Sequence, residues 1–336
     1  MLKLSRRNAL AGLAAAAGLA VSLGAADLAL AQDKAPIRIA LGDIETVETL
    51  NFLIAVERAK ERGVPIELQF LQSEDIAAQA VVSGESDIGM GTPYALIQRT
   101  RAPIRMFFRQ SSLRFFPVVN TDHYQGWEDL DGEEVVVHSR GSGTEALMRL
   151  MEQKNGIQYS NVSYVPGSEV RAGAMLQGNI RATIVDSASW RLLQDRGGGK
   201  FKVLPVEEVD ATDEALYANT DFLAEREDDV AILVEELLRT WRDIDENPEV
   251  VAELREQYNL IPDMPSDLED EMVPYYRESA ENDVFPLNGG QPEQIQADFD
   301  FYSVAGQIEG DPSELNVEDF WDFDAVNQAL EKVGKV

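Results

Sequence analysis

The strongest constraint on the fold is the regular alternation of short strands with amphipathic helices over residues 32–110. Ile37-Arg-Ile39-Ala-Leu41 alternates as a strand does, and Gly42-Asp43 turns the chain. A helix is predicted over 46–62, ending at Gly63-Val64-Pro65, and Ile66-Glu-Leu68-Gln-Phe70 is a second strand. Ser73 is placed to cap a helix whose apolar face carries Ile76, Ala77, Ala80 and Val81 and which Gly84 stops. Residues 87–91 form a third strand. Thr92-Pro93 opens a further helix, with Thr as N-cap and Pro at N1, and a fourth strand covers 104–110. This β-α-β-α-β-α-β order implies a mostly parallel sheet with helices on both faces. Ligands of such sheets bind beyond the carboxyl ends of the strands, here Gly42-Asp43 and Gly91-Thr92.

Residues 115–120 are extended with no helix before them and are expected to cross to a second lobe, where the plan starts again. Val135–Val137 reads as a buried strand, Ser139-Arg140-Gly141-Ser142-Gly143 as a turn, and the apolar spacing of Ala146, Leu147, Leu150 and Met151 as a helix. The first backbone N–H groups of that helix lack intrahelical partners and lie at its positive end, so the turn suits an anion. Ser142-x-x-Glu145 is also a capping box, which uses the Glu145 N–H and leaves those of Gly143 and Thr144 free. Strands at 162–165 and 182–185 flank a helix at 168–177, and Asp186-Ser187 follows. Beyond a strand at 202–204 and a return crossing at 216–220 the chain is largely helical, at about 228–245, 249–258, 267–281 and 291–306. Val234, Leu237, Leu238 and Trp241 form a packing stripe. The expected organisation is two hinged α/β lobes, one from 32–118 with 219–336 and the other from 119–218.

Residues 1–31 read as an export signal. Ser5-Arg6-Arg7 precedes an Ala/Gly/Leu-rich run, and Ala29-Leu30-Ala31 is a small-x-small cleavage pattern before Gln32. The twin arginines suggest twin-arginine export, with the general secretory route as the alternative. The expected location is therefore periplasmic. No cysteine is present, which excludes lipid attachment through a thiol, disulfides and cysteine-based metal sites. Residues 1–31 carry a net +2 from Lys3, Arg6, Arg7 and Asp27, so of the formal −31 the rest of the chain holds −33. That balance excludes nucleic acid and anionic membranes as partners. It fits a cationic ligand or the solvation of a protein in a salty medium.

Enzymatic motifs fail on context. Gly141-x-Gly143-x-x-Ala146 follows a strand as a dinucleotide fingerprint does, but the next strand ends in Tyr164-Val165-Pro166 without the ribose-binding acid. Ser142 directly follows Gly141, so the Gly-x-Ser-x-Gly nucleophile elbow is absent. His123 and His138 are too few for a histidine-rich metal site. No catalytic residue, metal or cofactor is expected. The candidate ligand-binding residues are Asp43, Thr46, Thr92 and Tyr94 from the first lobe and Ser142, Gly143, Thr144, Asp186, Ser187 and Trp190 from the second. Arg109 and Arg140 are the cations best placed for an anion. Asp186 and Thr92 are equally N-cap candidates, and Tyr94 and Trp190 equally packing residues.

Four segments together carry a family resemblance: Ala55-Val-Glu-Arg-Ala-Lys-Glu-Arg-Gly63, Val82-Ser-Gly-Glu-Ser-Asp-Ile-Gly-Met-Gly-Thr-Pro93, Trp127-Glu-Asp-Leu-Asp-Gly132 and Asp324-Ala-Val-Asn-Gln-Ala-Leu. Over about 36–333 the chain resembles the periplasmic solute-binding proteins of the nitrate/sulfonate/taurine and thiamine-precursor (NMT1/THI5-like) importers. It departs from them at Val64-Pro65-Ile66, where the family often has a longer turn containing an aromatic residue. The resemblance implies a two-lobed type II binding-protein fold, a monomer, no cofactor and a membrane permease of an ATP-binding-cassette importer as partner. It also implies an anionic or zwitterionic solute such as a sulfonate, nitrate or taurine. Gly141-Ser-Gly-Thr-Glu145 is similar to a turn in receptors of tripartite ATP-independent transporters, the alternative assignment.

Overall fold

The computed structural model describes residues 34–207 and 209–336; the export signal expected at 1–31 lies outside them. The first half contains β1 (Ile37–Leu41), α1 (Leu50–Glu61), β2 (Ile66–Phe70), α2 (Glu74–Ser83), β3 (Ile88–Gly91), α3 (Tyr94–Thr100) and β4 (Ile104–Ser112). The second contains β5 (Phe116–Asn120), β6 (Glu134–Val137), α4 (Gly143–Asn155), β7 (Asn161–Tyr164), α5 (Ser168–Leu176), β8 (Ala182–Val185), α6 (Ser187–Arg196) and β9 (Phe201–Val203). The chain then returns through β10 (Thr212–Asn219) to α7 (Thr220–Glu225), α8 (Glu227–Glu246), α9 (Val250–Tyr258), α10 (Ser266–Glu281), α11 (Pro292–Val304) and α12 (Asp324–Val333).

Two five-stranded sheets result, ordered β2-β1-β3-β10-β4 and β7-β6-β8-β5-β9. They have the same design. Four strands run in one direction, and the fourth position in the order holds the one antiparallel strand, β10 in the first sheet and β5 in the second. Each of these strands begins where the chain enters its sheet, after 113–115 and after 204–211. The expected lobe boundaries near 118 and 218 therefore fall inside β5 and near the end of β10. The alternation of strand and helix gave the parallel part; the crossing strands are what make both sheets mixed.

The apolar stripe of α8 is buried against α1 and α12, with Val234, Leu237, Leu238 and Trp241 at the centre of the first core. Trp241 sits edge-on to Phe108 and Phe285, at 5.8 and 5.9 Å between ring centroids, and donates its Nε1–H to the Gln110 carbonyl at 2.8 Å.

Two helix starts differ from expectation. α1 begins at Leu50 rather than 46, because the Thr46 N–H donates to Thr49 Oγ1 at 3.0 Å and the Glu48 N–H to Thr46 Oγ1 at 3.1 Å. Such local side-chain bonds compete with the helix. α3 begins at Tyr94, and Thr92 does not cap it. The Thr92 N–H donates to Glu74 Oε2 at 3.3 Å, and its Oγ1 accepts from the Tyr302 hydroxyl at 3.3 Å.

Candidate functional site

The carboxyl ends of both sheets converge on a cavity of about 60 Å³, roughly the room of four to six water-sized atoms. From the first sheet it receives Asp43 after β1, Glu74 at the start of α2, Gln110, Ser111 and Ser112 at the end of β4, and Asp213 and Glu214 at the start of β10. From the second come His138, Ser142 and Thr144 after β6, and Ser168 and Arg171 on α5. Adjacent strand residues normally point to opposite faces. The β10 ladder slips register at Glu214 against β4, a bulge that lets both Asp213 and Glu214 reach the cavity.

Glycine makes the close approaches possible. A Cβ on Gly42 would stand 2.5 Å from the Glu74 backbone, so only glycine lets α2 start against the end of β1. Gly91, at φ 139°, leaves the space that the Glu74 carboxylate fills, since a Cβ there would lie 2.6 Å from Glu74 Oε2.

The two halves touch through polar contacts around this cavity. His138 Nε2 lies 3.0 Å from the Gly42 carbonyl, and its Nδ1 lies 4.0 Å from Asp43 Oδ1. A carbonyl only accepts, so Nε2 carries a proton. Burial lowers the His138 pKa, and Arg171 lowers it further against the pull of Asp43. The ring is thus a neutral Nε2–H tautomer at pH 7. Ser139 Oγ donates to Glu74 Oε1 at 3.3 Å, and Gln307 Nε2 to the Ser142 carbonyl at 3.3 Å.

Charge dominates the lining. Burial, helped by the nearby Asp213, pushes the Glu74 carboxyl up to about 8. Burial, with Asp43 close by, takes Asp213 up to about 7. Glu48 and Glu214 rise well above the usual carboxylate range, from burial first and then from repulsion by neighbouring acids. In the second half burial raises Glu169 to about 7 and also raises Asp186. Arg171 is fully enclosed, and burial lowers its pKa while Glu48, Asp43 and Asp186 raise it.

Among the sequence-derived candidates, Asp43, Ser142 and Thr144 line this cavity. Ser142 also caps α4, accepting from the Glu145 N–H at 3.2 Å. The return half of the box differs from expectation, since Glu145 Oε2 accepts from the Gly141 N–H at 2.8 Å rather than from Ser142. Gly143 lies against the Asp213 carboxylate: a Cβ on it would be 2.6 Å from Asp213 Oδ1. Asp186 caps α6 through the Ser189 N–H at 2.6 Å, and Ser187 is the first, buried residue of that helix.

The remaining candidates sit elsewhere. Thr46 is tied into the turn before α1. Thr92 and the exposed Arg140 border a neighbouring, mostly apolar pocket, and Arg140 lies over the Tyr164 ring at 5.1 Å. Tyr94 is fully enclosed, bonded to Asp298 and to Trp321 Nε1 and ringed by Phe299, Tyr302 and Phe320. Arg109 is fully buried and pairs with Asp210 at 3.0 Å. Trp190 packs against the core between α5 and α6. Tyr94, Arg109 and Trp190 thus bond or pack within the fold, and neither they nor Arg140 line the cavity. Sequence reasoning missed Glu48, Glu74, Gln110, Arg114, Arg171, Asp213 and Glu214. The one signal toward any of them was the end of β2 ahead of Glu74 at the start of α2.

The NMT1/THI5-like family model matches residues 51–251, more than half of the 336-residue chain. The chain belongs to that family. Solved structures of similar fold include a protein of Bordetella bronchiseptica (TM-score 0.71, 19% identity, 90% of this chain and 99% of that one covered). The nitrate-binding protein NrtA of Synechocystis PCC 6803 is also similar (TM-score 0.64, 13% identity, 89% of each chain covered). So is the alkanesulfonate-binding protein SsuA of Xanthomonas axonopodis pv. citri, bound to MOPS (TM-score 0.61, 15% identity, 82% and 95% covered). These likenesses establish the two-lobed periplasmic-binding-protein fold. No curated protein matches significantly. Two of these neighbours are named as binding proteins, one for nitrate and one for alkanesulfonates. No helix among the described residues is long and apolar enough to cross a membrane.

Proposed function

We propose that this protein is the periplasmic solute receptor of an ATP-binding-cassette importer. As a monomer it closes its two halves on a small molecule and hands it to a membrane permease. The observation that carries this reading is the small cavity at the carboxyl ends of both sheets, lined from each half and reached by the chain only through 113–115 and 204–211. Two short crossings of this kind suit hinge closure. Asp43, Ser142 and Thr144 would touch the solute together with Glu74, Gln110 and Asp213.

Thermal-shift screening of the purified protein against sulfonates, nitrate, amino acids, amines, pyrimidines and aromatic acids tests the reading. A large shift without chemical change supports a receptor. Conversion of any of these compounds into product, or no shift across the whole panel, sinks it. Uptake of the identified solute by cells lacking the gene then tests delivery: unchanged uptake refutes the importer assignment.

A further inference from the structure

The solute suggested by family resemblance is an anion or zwitterion such as a sulfonate, nitrate or taurine, and the cavity is lined mainly by acids. Among the described residues, five carboxylates line it (Asp43, Glu48, Glu74, Asp213 and Glu214), against two guanidinium groups, Arg114 and Arg171. Arg171 is committed to the protein: Nε donates to the Ile184 carbonyl at 2.9 Å, Nη1 to the Val165 carbonyl at 2.8 Å and Nη2 to Ser168 Oγ at 3.0 Å. Arg114 is partly engaged, 3.7 Å from Glu278 and 5.8 Å from the Phe116 ring, with its Nε buried and unpartnered. The Asp213 carboxylate also stands close to the start of α4, where a Cβ on Gly143 would lie 2.6 Å from its Oδ1.

A second observation is independent of charge. Gln110 lines the same cavity and is 3% exposed, and its Oε1 has no hydrogen-bond donor, while its Nε2 donates to Met90 Sδ at 3.2 Å. A buried acceptor without a donor is costly, and an N–H from a ligand satisfies it. Phe52, Tyr275 and Phe285 supply aromatic wall in the same cavity, a surface that favours cations.

We propose that the solute is an organic cation whose primary ammonium, guanidinium or amidinium head donates N–H bonds to Gln110 Oε1 and to the Glu74, Asp213 and Glu214 carboxylates. This rests on the receptor reading of the same site and names its ligand class. Glu48 on the first half meets Asp186 and Glu169 on the second, so acids of both halves surround the site. The charged and titratable groups around the head come from every wall. They are Asp43 after β1, Glu48 before α1, Glu74 on α2, and Asp213 and Glu214 on β10. The rest are Arg114 after β4, His138 after β6, Glu169 and Arg171 on α5, and Asp186 before α6.

Calorimetry and thermal shift at pH 8 with agmatine, butylamine and benzamidine, against taurine, ethanesulfonate and nitrate, decide the matter. The expected result is binding of at least one cation and of no anion, with protons released to the buffer. Asp213→Asn should weaken that cation at least tenfold while raising the melting temperature of the ligand-free protein, which a merely structural aspartate would not do. No shift from any of the three cations overturns the inference, as does an anion binding more tightly than all of them; in the latter case the receptor reading stands. An unchanged cation affinity in Asp213→Asn also overturns it.

Discussion

Glu74 gives the sharpest test of the electrostatics, because its environment makes folding depend on pH in a direction opposite to most carboxylates. It is 8% exposed, and burial with the nearby Asp213 raises its pKa from the ordinary 4.5 to about 8, despite bonds from the Thr92 N–H and Ser139 Oγ. Between those two values the folded protein keeps a proton that the unfolded chain has lost. Stability therefore falls as pH rises through this window and is fully lowered above about 8. At about 1.4 kcal/mol per unit, the difference corresponds to about 5 kcal/mol. Asp213 adds a similar loss between its ordinary 3.8 and about 7, but the two groups repel each other and their effects do not sum. Glu74→Gln keeps the shape and an acceptor while removing the titration. Urea unfolding of ligand-free protein at pH 5, 6, 7 and 8 should show wild-type stability declining by several kcal/mol, with a clearly shallower slope for the variant and a crossover that leaves the variant more stable at pH 8. Parallel slopes would refute the reasoning, because they would mean that Glu74 is ionised at little cost inside the fold.

Ser142→Ala removes the acceptor of the Glu145 N–H and a hydroxyl donated to the Ser139 carbonyl at 2.8 Å; the expected loss is about 1–2 kcal/mol, read by denaturant melts. His138→Ala deletes the 3.0 Å contact to the Gly42 carbonyl across the two halves, so small-angle scattering should show a larger radius of gyration for the ligand-free variant, and an unchanged radius would remove His138 from closure. Tyr94→Phe strands Asp298 Oδ2 and the Trp321 Nε1–H in the core, although Oδ1 keeps the Thr212 N–H, costing about 1.5–3 kcal/mol while leaving affinity for any ligand unchanged; altered affinity would return Tyr94 to the site. Gly143→Ala forces a Cβ to within 2.6 Å of Asp213 Oδ1 and 2.7 Å of Leu113 Cδ1, so cation binding should weaken more than stability, as calorimetry and melting measured together would show.

The parallel core of each sheet was legible because its strands are short β-branched runs separated by helices with clear stops, such as Gly84 at φ 77° after α2 and Gly156 at φ 63° after α4. The helical segment after 227 was legible for a similar reason: α8 buries one continuous stripe. The antiparallel places of β5 and β10 were not, since no local pattern distinguishes a strand that continues a sheet from one that enters the other. Pairing partners lie far apart in sequence, as in Leu216 opposite Phe108 and Pro117 opposite Ile184. The starts of α1 and α3 were misplaced where threonine hydroxyls and a distant carboxylate took over backbone donors.

Part of the proposed site was legible. Strand ends point to the cavity, and Asp43, Ser142 and Thr144, read from the rule that ligands gather there, line it. The rule says nothing about sign. From sequence, Gly143 and Thr144 offer free N–H groups at a positive helix end and Arg109 and Arg140 offer charge, all suited to an anion, while the acids Asp43 and Asp186 suit an amine. In the fold both arginines are elsewhere, one sealed against Asp210 and one lying on Tyr164. The acid beside the helix end comes from β10, about seventy residues later in the chain, by way of a bulge that no composition reveals. A helix terminus attracts an anion, and here the protein's own Asp213 is the anion nearest to Gly143. With Asp213 beside Gly143 and with Glu74 and Glu214 on the same wall, a positively charged solute is the one we propose.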